Sequence, residues 1–172
     1  MIPTEDTLIQ QPLHSITLSM TDMTVAGVLV RIAPATLGDI VDLRHAVLRQ
    51  GLPREAAIFE ADDAPTTHHF AAMANGTCVG CATFHLNEYN GDVAWQLRGM
   101  ATDPKFRGQG IGRQLLLMAE ETLTRTSPVR QLWCNARTPA LDFYKKMGWQ
   151  VVSHQFEIPT AGPHFRMTKL LP

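Results

Sequence analysis

The chain has 172 residues, with 15 Lys plus Arg against 16 Asp plus Glu and a formal net charge of -1. This length suits one domain with a single core. The balanced charge argues against nucleic acid or an acidic membrane surface as partner, and no stretch approaches the ~18 apolar residues of a membrane span.

The first third of the chain predicts an arm, a strand and a helix. Residues 1–24 have weak periodicity and are expected to form an N-terminal arm, so a single domain is predicted over 25–172. The β-branched stretch 25–33 predicts a strand. A helix is predicted over 37–50, where Thr36 and Asp39 have the spacing of a capping box.

The middle of the chain predicts an antiparallel meander. Asn75-Gly76 and Asn90-Gly91 are dipeptides that favour tight hairpin turns. Gly99 lies inside the third predicted strand and indicates a bulge or a close approach of another group. The predicted strands are 68–74, 77–86 and 93–102.

The last third predicts alternating helices and strands. Thr138 and Gly148 are the expected N-terminal and C-terminal caps of its second helix. The elements are a helix over 110–124, a strand over 129–136, a helix over 139–147, and two strands over 149–158 and 164–171 around the loop 159–163.

The segment FRGQGIGRQLL (residues 106–116) has glycine at positions 108, 110 and 112, directly at the start of a predicted helix. Each glycine costs about 1 kcal/mol relative to alanine inside a helix, so three of them indicate that the backbone itself has the function. Successive amides and the positive end of a helix favour an anion such as phosphate or pyrophosphate. The spacing G-x-G-x-G matches neither the dinucleotide fingerprint nor the P-loop.

Two motifs together resemble a known family. Arg107 to Gly112 matches Gln/Arg-x-x-Gly-x-Gly/Ala, and ALDFYKKMGW (140–149) resembles an Ala-x-x-x-Tyr-x-x-x-Gly-aromatic helix. Both are signatures of the GNAT superfamily of acyl-CoA-dependent N-acetyltransferases. LRHAVLRQG, FEADDAP and GPHFRM further resemble its small bacterial branch of ElaA and YjcF-like acyltransferases.

The resemblance implies an α/β (α+β) fold. Its sheet is mixed but largely antiparallel, with about six or seven strands and flanking helices. It is expected to be splayed between the strands near 93–102 and 129–136.

The resemblance also implies a site for acetyl-CoA as acyl donor. The backbone of Met100 and Thr102 would pair with the pantetheine arm. A family asparagine seven residues before the tyrosine is replaced here by Arg137, which leaves Asn135 as the nearby candidate. The pyrophosphate would bind the loop formed by Arg107, Gly108, Gln109, Gly110, Ile111 and Gly112, extended by Arg113.

The implied chemistry is direct attack of an amine on the thioester. Tyr144 occupies the family position whose hydroxyl protonates the departing thiolate, and a strand amide near Met100 would hold the oxyanion. An amine with a pKa near ~10.4 is almost fully protonated at pH 7, so a base is expected. Glu88, Glu157 and His164 are the candidates, and His164 is preferred because it lies in the GPH sequence.

Other polar residues allow more than one interpretation. Arg44, His45 and Arg49 either line the acceptor pocket or form ordinary helix surface. Cys78 and Cys81 are expected to point to opposite faces of a strand, and no metal site is predicted.

The sequence thus predicts an N-acetyltransferase that transfers acetyl from acetyl-CoA to a primary amine of a small molecule or protein. The alternatives are a non-catalytic acyl-CoA sensor and an acyltransferase that uses another acyl-CoA. The odd count of three cysteines and the absence of a signal-like leader favour a cytoplasmic protein. A homodimer is possible, as in other family members.

Overall fold

The structure, a computed structural model, describes residues 20–172. Three α-helices are found in this part of the chain: α1 (Leu37–Leu48), α2 (Ile111–Thr126) and α3 (Leu141–Lys146). The strands are β1 (Thr21–Val25), β2 (Val28–Ala35), β3 (His68–Ala74), β4 (Thr77–Tyr89), β5 (Asp92–Thr102), β6 (Gln131–Arg137), β7 (Gln150–Val151), β8 (Phe156–Ile158) and β9 (Gly162–Leu170).

All of these strands form one sheet, in the order β1-β2-β3-β4-β5-β6-β9-β7, with β8 paired to β9. Every pairing is antiparallel except that of β5 with β6. The fold is therefore the mixed, largely antiparallel α/β fold that the resemblance implied, with nine strands instead of six or seven. None of the helices in residues 20–172 has the length and apolarity to cross a membrane.

Helices cover both faces of the sheet. Helix α2 carries an apolar stripe that is buried against the larger core, and α3 packs beside it. Helix α1 covers the other face through Ile40 and Leu43. The capping box at its start is present, since Thr36 Oγ1 accepts from the Asp39 amide and the Asp39 carboxylate accepts from the Thr36 amide.

The N-terminal strand prediction was wrong, because residues 25–33 are not one strand. Ala26 (φ 47°) and Gly27 (φ 80°) both have positive φ and form the turn of a hairpin between β1 and β2. β-branched residues flank the turn on both sides, so strand propensity averaged over the segment did not reveal it. Of the arm predicted over 1–24, residues 21–24 belong to β1, and residues 1–19 lie outside the described residues.

Two predictions in the C-terminal third were also wrong. The strand expected over 149–158 is split into β7 and β8. Thr138 does not cap a helix: it begins a single 3₁₀ turn before α3, and its hydroxyl donates to the Pro163 carbonyl at 3.3 Å. Gly148, with φ 84°, does follow the end of α3 as predicted.

Cys78 and Cys81 point to the same face of the sheet, contrary to the simple alternation. Ala72 pairs with Gly80 and Met73 with Cys78, so Val79 is an extra residue in β4. This bulge resets the alternation by one position. Both cysteines therefore pack against the residues beneath α1.

A buried guanidinium fixes α1 to the sheet. Arg44 is fully buried, and its Nη1 donates to the Ala57 carbonyl at 2.9 Å and to Asp62 Oδ2 at 2.5 Å. Its Nη2 donates to Thr83 Oγ1 at 2.6 Å, on β4. One side chain thus joins α1, the loop after it and the central sheet.

Arg44→Met should therefore lower the free energy of unfolding strongly, because it leaves Asp62 buried without its main partner. Breaking a buried pair typically costs about 3–5 kcal/mol. The matched control is Arg31→Met, since the Arg31–Asp22 pair has side chains that are 54% and 45% exposed and should contribute less than about 1 kcal/mol. Urea unfolding measures both; equal losses would contradict this role for Arg44.

Candidate active site

The sheet opens where β5 and β6 diverge. Their parallel pairing covers only Trp95–Leu97 opposite Leu132–Cys134. Just beyond it, one residue of β4, Ala82, stands opposite both Gly99 and Met100, and Gly99 has φ 60°. The bulge predicted at Gly99 is therefore present, and it bends β5 away from β6.

A cleft of about 310 Å³ lies in this opening. Four of the residues singled out from the sequence for the site line it: Met100, Asn135, Tyr144 and His164. The glycine segment does not line the cleft and forms a separate surface at the start of α2.

The glycine segment presents a run of unused backbone donors. Helix α2 begins after Gly110, which has φ 89° and offers no side chain as a cap. Among residues 20–172, no protein acceptor is found for the six amides from Gly108 to Arg113. Gly108 also has positive φ, at 73°. An exposed concavity of free amides at a helix start is suited to an anion.

Gly112 has a different role, because it allows close packing. A Cβ placed there would lie 3.3 Å from both Met100 Cε and Phe143 Cζ. A side chain there would push Met100 or Phe143 away by a few tenths of an ångström, so glycine favours the close approach of α2 to β5 and α3. The glycine loop, the bulged strand and the tyrosine helix are thereby held together.

Tyr144 is 8% exposed and enters the cleft from the face covered by α2 and α3. Its hydroxyl donates to Met100 Sδ at 3.5 Å, and thioether sulfur is a weak acceptor. Burial raises the pKa of Tyr144 far above its usual value, so the hydroxyl keeps its proton. The cleft therefore contains a protonated donor without a strong partner.

His164 enters the same cleft from the opposite face. It is directly opposite Arg137 in the β6–β9 pairing, so both side chains lie on the face covered by α1. His164 is 4% exposed, and its Nδ1 lies 2.7 Å from the Gly162 carbonyl. A carbonyl only accepts, so Nδ1 carries the hydrogen, and in the neutral ring Nε2 is left as an acceptor.

The other residues predicted to bind acetyl-CoA are exposed or hydrogen-bonded to neighbouring groups. Arg107 is exposed, and its Nε donates to the Thr102 carbonyl at 3.1 Å. Asn135 Oδ1 accepts from Arg166 Nε at 3.3 Å, which turns the amide toward the α1 face. Gln109 and Arg113 are exposed.

The other base candidates do not reach the cleft. Glu88 and Glu157 are exposed and do not line it. On α1, Arg44 is buried beneath the cleft and the His45 ring bonds to the Leu52 carbonyl, whereas Arg49 does line the cleft.

The sequence reading missed Arg98 and Phe59, which also line the cleft, and it treated Arg137 only as a departure from the family pattern. The sequence did contain a signal for Arg98: it is the one charged residue of the predicted strand 93–102, directly before the bulge glycine. Phe59 lies in the connection after α1, where no periodicity predicts a position.

Comparison with known proteins identifies the family. A family model described as an acetyltransferase (GNAT) domain matches residues 65–151. The uncharacterized N-acetyltransferase YitI of Bacillus subtilis is 32% identical over 149 residues, which cover 83% of this chain and 97% of that protein. The chain therefore belongs to the GNAT acetyltransferase family and is an acyl-CoA-dependent N-acetyltransferase.

Solved structures show the same fold. Escherichia coli ElaA matches with a TM-score of 0.65 and 22% identity, covering 88% of this chain and 99% of that one. An aminoglycoside 6'-N-acetyltransferase complexed with coenzyme A matches with a TM-score of 0.63 and 15% identity, covering 78% of this chain and 90% of that one. At these identities the two matches show a shared fold.

Proposed function

We propose that this enzyme transfers an acetyl group from acetyl-CoA to a primary amine by direct attack within a ternary complex. The observation that carries the proposal is the pair Tyr144 and His164, which reach one cleft from opposite faces of the sheet. A donor on one side and an acceptor on the other suit a reaction in which a nucleophile enters as a leaving group departs.

The glycine segment fits the pyrophosphate of coenzyme A. Its amides from Gly108 to Arg113 have no protein acceptor in residues 20–172, and Gly110 provides no capping side chain. Arg107 and Arg113 add positive charge beside these amides. The backbone of Met100 and Thr102 leads from this loop into the cleft, where we place the pantetheine arm.

Acetyl-CoA supplies a thioester, whose acyl carbon accepts the amine and whose sulfur departs as a thiolate. We assign Tyr144 as the donor to this sulfur. Because burial raises the pKa of Tyr144, hydrogen bonding to the thiolate is favoured over full transfer of the phenol proton. The thiolate would replace Met100 Sδ as the partner of the hydroxyl.

We assign His164 as the base. The Gly162 carbonyl holds Nδ1 in its protonated form, so Nε2 in the neutral ring accepts a proton from the incoming amine. Glu88 and Glu157 are too far out on the surface to compete for this role.

A route through an acylated cysteine is disfavoured. Cys134 is the thiol that lines the cleft, and burial raises its pKa to about 12. The reactive form of cysteine is the thiolate, which is scarce at neutral pH for such a group. Direct transfer to the amine therefore remains the simpler route.

The two alternatives make different use of the same site. A sensor that only binds acyl-CoA would not need Tyr144 and His164 in one cleft. An enzyme for longer acyl groups would use the same loop, so donors of different length must be compared. The cytoplasmic location and the homodimer stay predictions.

Acetyl-CoA at about 100 times its dissociation constant should raise the melting temperature by about 5–10 °C. Gly110→Glu should abolish this shift, because it adds a negative charge beside the proposed pyrophosphate site. The matched control is Gly91→Glu, which has nearly the same φ (88° against 89°) in a distant hairpin turn. Absence of a shift in the wild type at millimolar acetyl-CoA contradicts the cofactor assignment.

Tyr144→Phe should lower kcat by about 100-fold, as is usual for loss of a hydrogen-bond donor to the charge that develops in the transition state. Its dissociation constant for acetyl-CoA should not change, since the hydroxyl's partner in the free enzyme is only a thioether. Tyr89→Phe is the control, because Tyr89 stacks on Trp133 away from Tyr144. Rates of thiol release and calorimetric binding separate the two effects. A Tyr144→Phe enzyme with wild-type kcat would exclude the role.

His164→Asn should lower kcat/KM for the amine at pH 7 by about 10- to 100-fold, and the loss should shrink as the pH rises to 9.5. At high pH more of the amine is already neutral and needs no base. His154→Asn, at an exposed histidine, should behave as wild type throughout. A loss that stays constant with pH would indicate a purely structural role for His164.

A further inference from the structure

The side of the cleft that faces α1, where the amine is proposed to bind, is lined by three arginines. Arg49 at the end of α1, Arg98 beside the bulge and Arg137 at the end of β6 all line it. None of the lining residues is Asp or Glu. Three separate elements of the chain thus bring guanidinium groups to one small space.

The nearby buried carboxylate, Asp62, neutralises only part of this charge. Asp62 is buried, its Oδ2 bonded to Arg44 at 2.5 Å and its Oδ1 to Arg98 at 3.2 Å. Arg49 and Arg137 have no carboxylate within 4 Å among residues 20–172. Both donate instead to the Leu48 carbonyl, at 2.9 and 3.4 Å.

The guanidinium groups are crowded against one another. Arg44, Arg49 and Arg98 lie 4.4, 5.0 and 5.6 Å from the centre of the Phe59 ring. Burial lowers the pKa of Arg49, and the charges of Arg137 and Arg44 lower it further. An anion among these groups would relieve the repulsion and replace lost hydration.

Coenzyme A does not account for these arginines. Its pyrophosphate is assigned to the amides from Gly108 to Arg113, and no residue of that segment lines the cleft. The arginines lie on the α1 face with His164, where the amine must enter. Because Arg137 is directly opposite His164 in the β6–β9 pairing, the two side chains are cross-strand neighbours about 5 Å apart at Cβ.

We propose that the acceptor is a small primary amine that carries an oxyanion, a carboxylate or a phosphonate, a few bonds from its nitrogen. Arg137 and Arg49 bind the oxyanion, and this binding delivers the nitrogen to His164. The planar fork of arginine matches both kinds of oxyanion. The assignment rests on the proposed acetyltransferase activity.

The test compares acceptors that differ in charge. Rates of acetyl transfer are measured by thiol release and by mass of the product, for β-alanine against β-alaninamide and for 2-aminoethylphosphonate against its diethyl ester. The anionic member of at least one pair should have a kcat/KM at least about tenfold higher. Which pair shows the larger ratio distinguishes a carboxylate from a phosphonate acceptor. 1,5-Diaminopentane serves as the cationic acceptor.

Arg137→Gln and Arg49→Gln should each reduce the preference for the anionic acceptor by about tenfold, through KM. The loss of kcat/KM should be about tenfold larger for the acceptor with the oxyanion than for its uncharged analogue, a difference that general damage to the fold would not give. Arg137→Lys should restore part of the preference. Arg125→Gln, at an exposed arginine near the end of α2, is the control and should behave as wild type.

The outcomes distinguish failure of the oxyanion assignment from failure of the proposed acetyltransferase function. Equal or faster transfer to the neutral or cationic amines overturns the oxyanion assignment while leaving the acetyltransferase function intact. Failure of acetyl-CoA to raise the melting temperature overturns the function itself. If acetyl-CoA binds but no acceptor reacts, calorimetry with the coenzyme A-loaded enzyme decides, and no binding of either anionic amine overturns the assignment.

Discussion

The buried ion pair between Arg44 and Asp62 is the constraint on which the rest of the structure depends. Arg44 holds α1, the connection after it and β4 together through three contacts, to the Ala57 carbonyl, the Asp62 carboxylate and the Thr83 hydroxyl. It also fills the space beside Gly99, where an added Cβ would lie 2.7 Å from Arg44 Nε. The bulge at Gly99 therefore needs glycine for two reasons, its φ of 60° and the guanidinium packed against it. Burying a charge in this way is costly unless it is paired, and Asp62 is held in place by Arg44, by Arg98 and by the amide of Phe59.

The divergence of β5 and β6 begins at that bulge and brings the two proposed catalytic residues to one cleft. A sheet normally separates its two faces completely, but the opening lets side chains from both faces meet at one point. Tyr144 comes from the face under α2 and α3, and His164 from the face under α1. A donor for the leaving sulfur and an acceptor for the amine proton can thus act on opposite sides of one acyl carbon. Both side chains already line the cleft, and no hydrogen bond joins them in the described structure.

The parts of the site that sequence could predict are those encoded locally. The glycine segment, Tyr144 in its helix and the Asn-Gly turns each depend on neighbouring residues, so a short pattern was enough. The arginine cluster could not be found this way, because Arg49, Arg98 and Arg137 are joined only by the tertiary fold. The same limit explains the errors in the strands. The extra residue at Val79 and the Ala26-Gly27 turn change the register without leaving a strong signal in composition.

The arginine cluster has a second consequence for catalysis. For a lysine-like amine with a pKa of ~10.4, forming the neutral amine at pH 7 costs about 4–5 kcal/mol of free energy. Positive neighbours disfavour an ammonium ion, so in the proposed acceptor site Arg49, Arg98 and Arg137 would favour the neutral form of the amine. The same charges favour the negative oxygen that forms when the amine attacks the thioester. A purely cationic amine would be repelled by the arginines. In the proposed acceptor, the oxyanion is attracted by the arginines, and its binding places the nitrogen beside His164. Attraction of the anion and activation of the nitrogen therefore arise from one set of charges.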